Sequence, residues 1–140
     1  MFSSAIEIIS KSIFPIFFLS QQEEGLKIGV SGTGFFIDDD GRFITAHHVI
    51  TDVPTGSRLL FCGNVPDSII QPIDIETVSH DAEKDIFIGK VPKQHALPEV
   101  KFTTELPKAG QSLSLCGYPL AQLSQNTDGS INTSNVRKYW

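Results

Sequence analysis

The stretch SGTGFFIDDDGRFITAHHVI, residues 31 to 50, predicts a β-hairpin whose second strand ends beside two adjacent histidines. The turn runs from Asp38 to Gly41, because aspartate tolerates the turn geometry and Gly41 supplies the positive φ that closes it. Residues 42–46 form the return strand. The acidic run does not fit a calcium loop, since its carboxylates are consecutive and Phe36 stands where the first ligand should be. This stretch therefore predicts a hairpin and not a metal loop.

Most of the remaining chain consists of short apolar strands separated by Gly, Pro and polar turns. This series predicts an antiparallel barrel or sandwich, and closure into a barrel removes strand edges that would otherwise be exposed. Pro15 makes the first strand an edge strand or one with a bulge. A short amphipathic helix over residues 3–11 precedes the strands, with Ala5, Ile8 and Ile9 on one face. The predicted strands are 13–19, 27–37, 42–46, 57–62, 69–79, 86–91 and 111–117.

The composition is that of a globular domain with few charges and few cysteines. Eleven Lys and Arg against sixteen Asp and Glu give a net charge of −5, and their scatter argues against a nucleic-acid surface. Cys62 and Cys116 fit neither a disulfide framework nor a zinc motif, which favours two buried free thiols in a reducing compartment; a single bridge stays open. Glu7 and Lys11 interrupt the apolar N-terminal stretch, so we expect no targeting or membrane-spanning segment and a cytoplasmic protein.

Two segments carry residues that could do acid–base chemistry. His47 and His48 follow the return strand, where packing fixes the direction of a side chain, and histidine is the usual general base near neutral pH. Asp85 stands immediately before the apolar strand 86–88, where a buried carboxylate needs hydrogen bonds, and a histidine Nδ1–H is a suitable donor. Taken alone, each has a plainer interpretation, as rim histidines and as a turn aspartate, and Asp81 competes with Asp85 as the candidate carboxylate. A metal pair is disfavoured because adjacent histidines point apart.

Together and in this order, the segments resemble the trypsin-like serine protease family, and in particular the bacterial branch that includes the HtrA proteases. The resemblance covers residues 12 to about 120. SGTGFFIDDDGRFITAHHVI is similar to the family's histidine segment, DAEKDIFIGKV to its aspartate segment 37 residues on, and AGQSLSLCGYPL to the opening of its second barrel. The resemblance implies that His48 is the general base, that Asp85 orients it, and that His47 replaces a packing alanine. Phe87 departs from the small residue usual at its position.

The resemblance also implies an architecture: an all-β, antiparallel, Greek-key barrel of six strands, the first of a chymotrypsin-like double barrel. We expect an N-terminal helix over residues 1–11, the first barrel over 12–100, and a connector with the start of a truncated second barrel over 101–140. No cysteine flanks the histidine and no Ile-Val-Gly-Gly terminus occurs, which argues against the secreted digestive branch.

The nucleophile of the family is missing from this sequence. It lies in a Gly-x-Ser-Gly-Gly segment of the second barrel, which does not occur in the 140 residues, and Ser130 in TDGSIN reads as a turn serine. Without an attacking oxygen, His48 has no proton to abstract. We therefore expect the N-terminal portion of a longer serine endopeptidase, inactive alone. Strand 111–117 points the same way, because it would present an open apolar edge.

Two functions follow from this resemblance. The first is peptide-bond hydrolysis with His48 and Asp85 as two members of a triad. The second is a catalytically inactive, protease-like module that holds an extended peptide by strand addition. Both imply a polypeptide partner and neither implies nucleic acid, a membrane, a metal or another cofactor. An unrelated all-β domain is the third alternative.

Overall fold

The computed structural model describes residues 2–61, 71–72, 75–93, 100–119, 124–125, 127–128 and 131–132. Two short helices accompany nine strands in this part of the chain. In chain order the elements are α1 (Phe2–Ser12), β1 (Ile13–Gln22), β2 (Gly25–Phe36), β3 (Arg42–Thr45), α2 (His47–Thr51), β4 (Arg58–Phe61), β5 (Gln71–Pro72), β6 (Glu76–Asp81), β7 (Ile86–Lys90), β8 (Ser124–Gln125) and β9 (Ile131–Asn132).

The first seven strands form one curled antiparallel sheet in the order β5-β4-β1-β2-β3-β7-β6. Strands β1 to β3 form a meander, and β4 returns to lie beside β1, which is the Greek-key order. The predicted strand 69–79 corresponds to two strands, β5 and β6. Strands β8 and β9 pair with each other in a separate two-stranded sheet. The predicted all-β antiparallel barrel fold with a short N-terminal helix is confirmed, in the form of a curled half-barrel whose sheet ends at β5 and β6.

Strand β1 shows how the sequence accommodates a proline inside a sheet. Its ladder to β4 begins at Ile16, one residue after Pro15, and its register with β2 shifts between Ile16 and Phe17. Because proline has no N–H to donate, it fits where the second ladder has not yet begun and next to a bulge. The strand is thus interior but locally irregular, as the bulge interpretation of Pro15 predicts.

Phenylalanine dominates the core. The larger of two buried clusters is built on Phe14, Phe36, Phe43 and Phe87 with aliphatic neighbours, and the ring centroids of Phe14 and Phe43 lie 5.2 Å apart, edge to face. The smaller cluster lies around Phe17; its other buried members are Ile13, Leu60 and Tyr118. The larger cluster also includes Val49 of α2, so the core directly supports the helix that carries the histidines.

The hairpin turn between β2 and β3 follows the sequence-based expectation. Gly41 has a φ of 91°, and a Cβ at this position would lie 2.0 Å from the carbonyl oxygen of Val91. Asp38 accepts hydrogen bonds from the backbone N–H of Arg42 at 3.1 Å and from its guanidinium at 2.9 Å. Partial burial acts to raise the pKa of Asp38, but the hydrogen bonds and charge of Arg42 outweigh it and lower that pKa. The turn is therefore fixed by backbone shape and by an ion pair.

The predicted N-terminal helix is present in the structure, whereas the predicted strand 111–117 is not. Segment 111–117 was predicted as a strand, but residues 111–116 have no regular structure and only Gly117 forms a bridge. A strand needs a partner ladder, and no described segment provides one, so Leu113 and Leu115 are 68% and 88% exposed. Helix α1 is present, but Ile8 and Ile9 of its apolar face are 45% and 37% exposed. Cys116 is half-buried beside the Phe17 cluster, and Cys62 lies outside the described residues.

Candidate active site

The register of β3 on β7 brings the two predicted site segments together. Thr45, the last residue of β3, is paired with Phe87 of β7. Helix α2 starts two residues after Thr45, and the turn that precedes β7 ends at Asp85. Since the strands are antiparallel, the end of β3 and the start of β7 lie at the same edge of the sheet. His48 and Asp85, 37 residues apart in sequence, therefore meet at this edge.

Asp85 makes three hydrogen bonds to the start of α2. Its Oδ2 lies 2.6 Å from Nδ1 of His48, and its Oδ1 accepts the backbone N–H of the same residue at 2.9 Å. The backbone carbonyl of Asp85 accepts the N–H of His47 at 3.2 Å. Because an ionised carboxylate only accepts, Nδ1 must carry the ring proton in this contact, which leaves Nε2 of His48 as the acceptor.

The electrostatics of this pair keep Asp85 ionised. The backbone N–H of His48 lowers the pKa of the carboxyl group below its ordinary value of 3.8, and the hydrogen bond to the ring lowers it further. The sequence left open whether this carboxylate is buried, and in the structure it is not, since the side chains of His48 and Asp85 are 59% and 47% exposed. Hydrogen bonds, and not desolvation, therefore set the charge state of Asp85.

The backbone of Asp85 is itself unusual. Among the residues that the structure describes, it is the one non-glycine residue with a positive φ, 55°. Aspartate is among the residues that tolerate this conformation best, yet such positions persist only where surrounding contacts hold them. Here the three hydrogen bonds to His47 and His48 do so. The conformation turns both the carboxylate and the carbonyl of Asp85 toward α2.

The second histidine has a different partner. The rings of His47 and His80 stack with centroids 5.4 Å apart and an interplanar angle of 30°. His80 lies on β6, paired with Phe87, so the register of β6 on β7 places it near the end of β3. Asp81, the competing aspartate, is the last residue of β6, and its side chain accepts the backbone N–H of Lys84 in the following turn at 3.0 Å. No local feature of the sequence predicted that the ring of His80 stacks on that of His47.

A group of hydroxyls ties α2 and the end of β3 to β2. The hydroxyl of Ser31 donates to the carbonyl of Val49, and that of Thr45 donates to the carbonyl of Thr33 at 2.9 Å. The hydroxyl of Thr33 accepts the backbone N–H of Tyr118 at 3.0 Å. These contacts fix the backbone on both sides of His48 against the rigid sheet. Sequence reasoning missed them, although both Ser31 and Thr33 belong to the glycine-rich segment before the turn.

Ser130 lies outside the described residues. In the described ranges, no three His, Cys, Asp or Glu side chains are grouped closely enough to hold a metal ion. None of the helices in the described part of the chain has the length and apolar character needed to cross a lipid bilayer.

The structure thus combines a Greek-key antiparallel sheet with a His–Asp pair at the edge where β3 ends and β7 begins. Comparisons with known proteins show which family this chain belongs to. Residues 32–140 match the trypsin-like peptidase domain family, and the chain belongs to that family. Among solved structures, the chain resembles an HtrA-type protease, AlgW with decapeptide, with a TM-score of 0.59 and 12% identity over 95% of this chain. It spans about half of that protein, 49%. No curated protein matches it by sequence.

Proposed function

We propose that this chain supplies the general base and the orienting carboxylate of a serine endopeptidase. The observation that carries the proposal is the double contact of Asp85 with His48, through the ring Nδ1 at 2.6 Å and the backbone N–H at 2.9 Å. This arrangement selects the ring tautomer whose Nε2 is free to take a proton. Membership of the trypsin-like peptidase family supports the same roles.

In this mechanism, Nε2 of His48 takes the proton of a serine hydroxyl as that oxygen attacks the peptide carbonyl. The imidazolium then returns the proton to the leaving amine, and water repeats the sequence to release the acyl group. Asp85 remains ionised throughout and stabilises the charge on His48. Its lowered pKa supports this role, because a carboxylate that stays charged can compensate the imidazolium.

In this proposal, the nucleophilic serine and the hydrogen-bond donors of the oxyanion hole come from a segment outside these 140 residues. The 140 residues contain no Gly-x-Ser-Gly-Gly sequence. We therefore propose that residues 12–100 are the first barrel, that 101–140 are a connector and the start of the second, and that these residues alone do not hydrolyse peptides. The nucleophile would follow them in the working protease. The match to 49% of an HtrA-type protease is what we expect if this chain corresponds to part of such a protein.

The substrate proposed is a polypeptide. The HtrA-type protease that this fold resembles was solved with a decapeptide. Both side chains of the pair are about half exposed, at 59% and 47%, so a reacting group could approach His48 from solvent.

A catalytically inactive peptide-binding module is the second candidate, and an exposed sheet edge favours it. Strand β6 lies at one end of the sheet order, and residues 76–80 are exposed along it. Such an edge can accept an added strand from an extended peptide. Retention of the hydrogen-bonded pair weighs against this candidate, because the fold alone does not need both side chains.

The deciding experiment compares a version extended past residue 140 with two of its variants, His48→Ala and His47→Ala. We expect the extended protein to cleave unfolded casein and to react with a fluorophosphonate probe. His48→Ala should abolish both activities, while His47→Ala, at the neighbouring position, should retain them. If the extended protein shows neither activity, or if His48→Ala leaves them intact, the endopeptidase proposal fails. Specific peptide binding without cleavage by the 140 residues and by the extended protein would establish the binding module.

A further inference from the structure

Thr33, near the end of β2, forms hydrogen bonds with two segments that are far apart in the sequence. Its backbone carbonyl accepts the hydroxyl of Thr45 at 2.9 Å, and its own hydroxyl accepts the backbone N–H of Tyr118 at 3.0 Å. Thr45 is the last residue of β3 and precedes His48 by three residues. A single residue thus contacts both the strand that leads into the histidines and the segment 100–119.

Both hydrogen bonds are shielded from water. Thr45 and Tyr118 are 5% and 3% exposed, and Tyr118 packs in the cluster around Phe17. The loss of one partner from such a bond leaves a buried polar group unsatisfied, which costs more than the loss of an exposed bond. Thr33 therefore holds each of the two segments in a defined place.

The contact with Tyr118 lies where segment 100–119 becomes buried against the barrel. Residues 101–115 are exposed, whereas 116–118 are half-buried or buried. A Cβ at Gly117 would lie 3.2 Å from the hydroxyl oxygen of Thr33, so the backbone passes this oxygen closely. The direction in which the chain continues thus depends on its fit against Thr33.

This placement matters for the proposed peptidase reaction. There, Nε2 of His48 takes the proton of a serine hydroxyl, and the two groups must lie within hydrogen-bond reach of each other. In the proposal above, that serine belongs to a segment that follows these 140 residues. The chain leads to it through Tyr118, whereas it leads to His48 through Thr45. Both paths meet at Thr33, so a shift there changes the distance between the base and the nucleophile.

We propose that Thr33 is a positioning residue, which aligns the nucleophile with His48 by holding Thr45 with its carbonyl and Tyr118 with its hydroxyl. The role rests on the proposed function, because it requires a serine in the chain beyond Tyr118. Thr33 acts through the two segments that it holds and takes no part in proton transfer. Since a misplacement of about 1 Å far from the chemistry can lower a rate about 100-fold, the alignment affects kcat more than KM.

The test uses the extended version of the protein and the substitution Thr33→Val. Valine keeps the branched shape and the backbone carbonyl but has no hydroxyl to accept the N–H of Tyr118. We expect kcat to fall about 10- to 100-fold while KM changes by less than about threefold. Thr33→Ser restores the hydroxyl and should return kcat to within about threefold of the parent value.

Thr103→Val is the matched control, because it removes the same kind of contact from the same segment. The hydroxyl of Thr103 also accepts a backbone N–H, that of Glu105 at 3.1 Å, but the residue is exposed and lies outside the attached stretch 116–118. This variant should keep the kcat and the KM of the parent protein.

Gly117→Ala tests the contact from the other side and decides if Thr33→Val does not fold. Gly117 is not among the glycines with a positive φ, so alanine suits its backbone. The new methyl group would lie 3.2 Å from the hydroxyl oxygen of Thr33, which is close enough to push the segment outward. We again expect a lower kcat with KM nearly unchanged.

A second measurement uses the 140-residue chain and needs no peptidase activity. Amide hydrogen exchange at Tyr118 reports directly on the hydrogen bond to Thr33. It should be at least about tenfold faster in Thr33→Val than in the parent chain, and it should be unchanged in Thr103→Val.

The role of Thr33 and the proposed function can fail separately. An active extended protein whose Thr33→Val and Gly117→Ala variants keep full kcat would overturn the role alone. A loss confined to KM, no recovery of kcat in Thr33→Ser, or unchanged exchange at Tyr118 would do the same. An extended protein without activity would overturn the proposed function, and the role with it, even if exchange at Tyr118 responds as expected.

Discussion

The carboxylate of Asp85 uses both of its oxygens on a single residue, His48. One oxygen accepts the backbone N–H at 2.9 Å and the other lies 2.6 Å from the ring Nδ1. A carboxylate bound only to the ring would allow the imidazole to turn with its own backbone. Because the second bond holds that backbone, the direction of Nε2 is defined relative to the sheet edge.

We predict that Asp85→Asn in an extended, active version lowers kcat/KM on the order of 10⁴-fold with little loss of stability. Asparagine tolerates the left-handed conformation of this position, and its carbonyl can still accept the N–H of His48. Its NH₂ group, however, would face Nδ1, which must then be unprotonated, so the proton moves to Nε2 and blocks the base. Peptide hydrolysis by the variant, measured beside its urea unfolding curve, checks both parts of the prediction.

Asp81→Asn is the matched control, since Asp81 caps the turn through Lys84 and does not contact His48. It should keep nearly full activity. Activity of Asp85→Asn within tenfold of the parent protein would show that the hydrogen bond does not select the tautomer.

The same carboxylate predicts a pH dependence of stability. The pKa of Asp85 is lower in the folded chain than its ordinary value of 3.8, so the unfolded chain binds more protons as the pH falls through this range. The stabilising contribution is fully present above the unfolded value and is lost as the pH falls through the folded value. Urea unfolding at pH 6 and at pH 3 should show a larger loss of stability for the parent chain than for Asp85→Asn. An equal loss in both would contradict the prediction.

Much of the fold could be predicted because its determinants are local. The turn from Asp38 to Gly41 carries its own geometry, and the apolar runs define the strands to within a few residues. Segment 111–117 was assigned wrongly because its alternation of Leu113 and Leu115 describes a strand only when a partner is available. The alternation of side chains within one segment gives no information on whether a second strand lies beside it to form hydrogen bonds.

The candidate site was predicted less evenly. His48 and Asp85 could be paired because a family pattern joins two segments that the residues alone left unconnected. The stacking of His47 on His80 could not be predicted from the sequence, since it depends on the registers of three strands, β3, β7 and β6. The exposure of Asp85 could not be predicted, because an aspartate before an apolar strand gives no information about what covers the sheet edge.

The turn that leads into β3 offers a test with an internal control. Gly41 and Gly56 both have positive φ, 91° and 77°, but only Gly41 faces an obstacle, the carbonyl oxygen of Val91. We predict that Gly56→Ala costs about 1 kcal/mol of unfolding free energy for its conformation alone. Gly41→Ala should cost about 3 kcal/mol or more, because the backbone must also shift. Chemical denaturation of both variants measures the difference, and equal costs would mean that the close approach to Val91 does not matter.

The position of Phe87 leads to the last prediction. The family pattern has a small residue there, whereas Phe87 is 4% exposed in the core and its ring lies 6.2 Å from that of Phe43. A Cβ at Gly89 would lie 2.7 Å from the ring of Phe87 and 2.6 Å from that of Phe43. The glycine at 89 therefore provides the space that the larger residue at 87 takes up.

We expect Gly89→Ala alone to destabilise the fold by about 1–3 kcal/mol through overpacking, and Phe87→Ala alone by about 3–5 kcal/mol through a cavity. In the double variant the new methyl group enters the space that Phe87 vacates and Phe43 can move away from it. The two costs should then fall short of additivity by at least about 1 kcal/mol. Phe87→Ala combined with Gly56→Ala is the control and should be additive, since a Cβ at Gly56 meets no atom within 4 Å. Additive costs in the 87/89 pair as well would show that the two positions do not share their space.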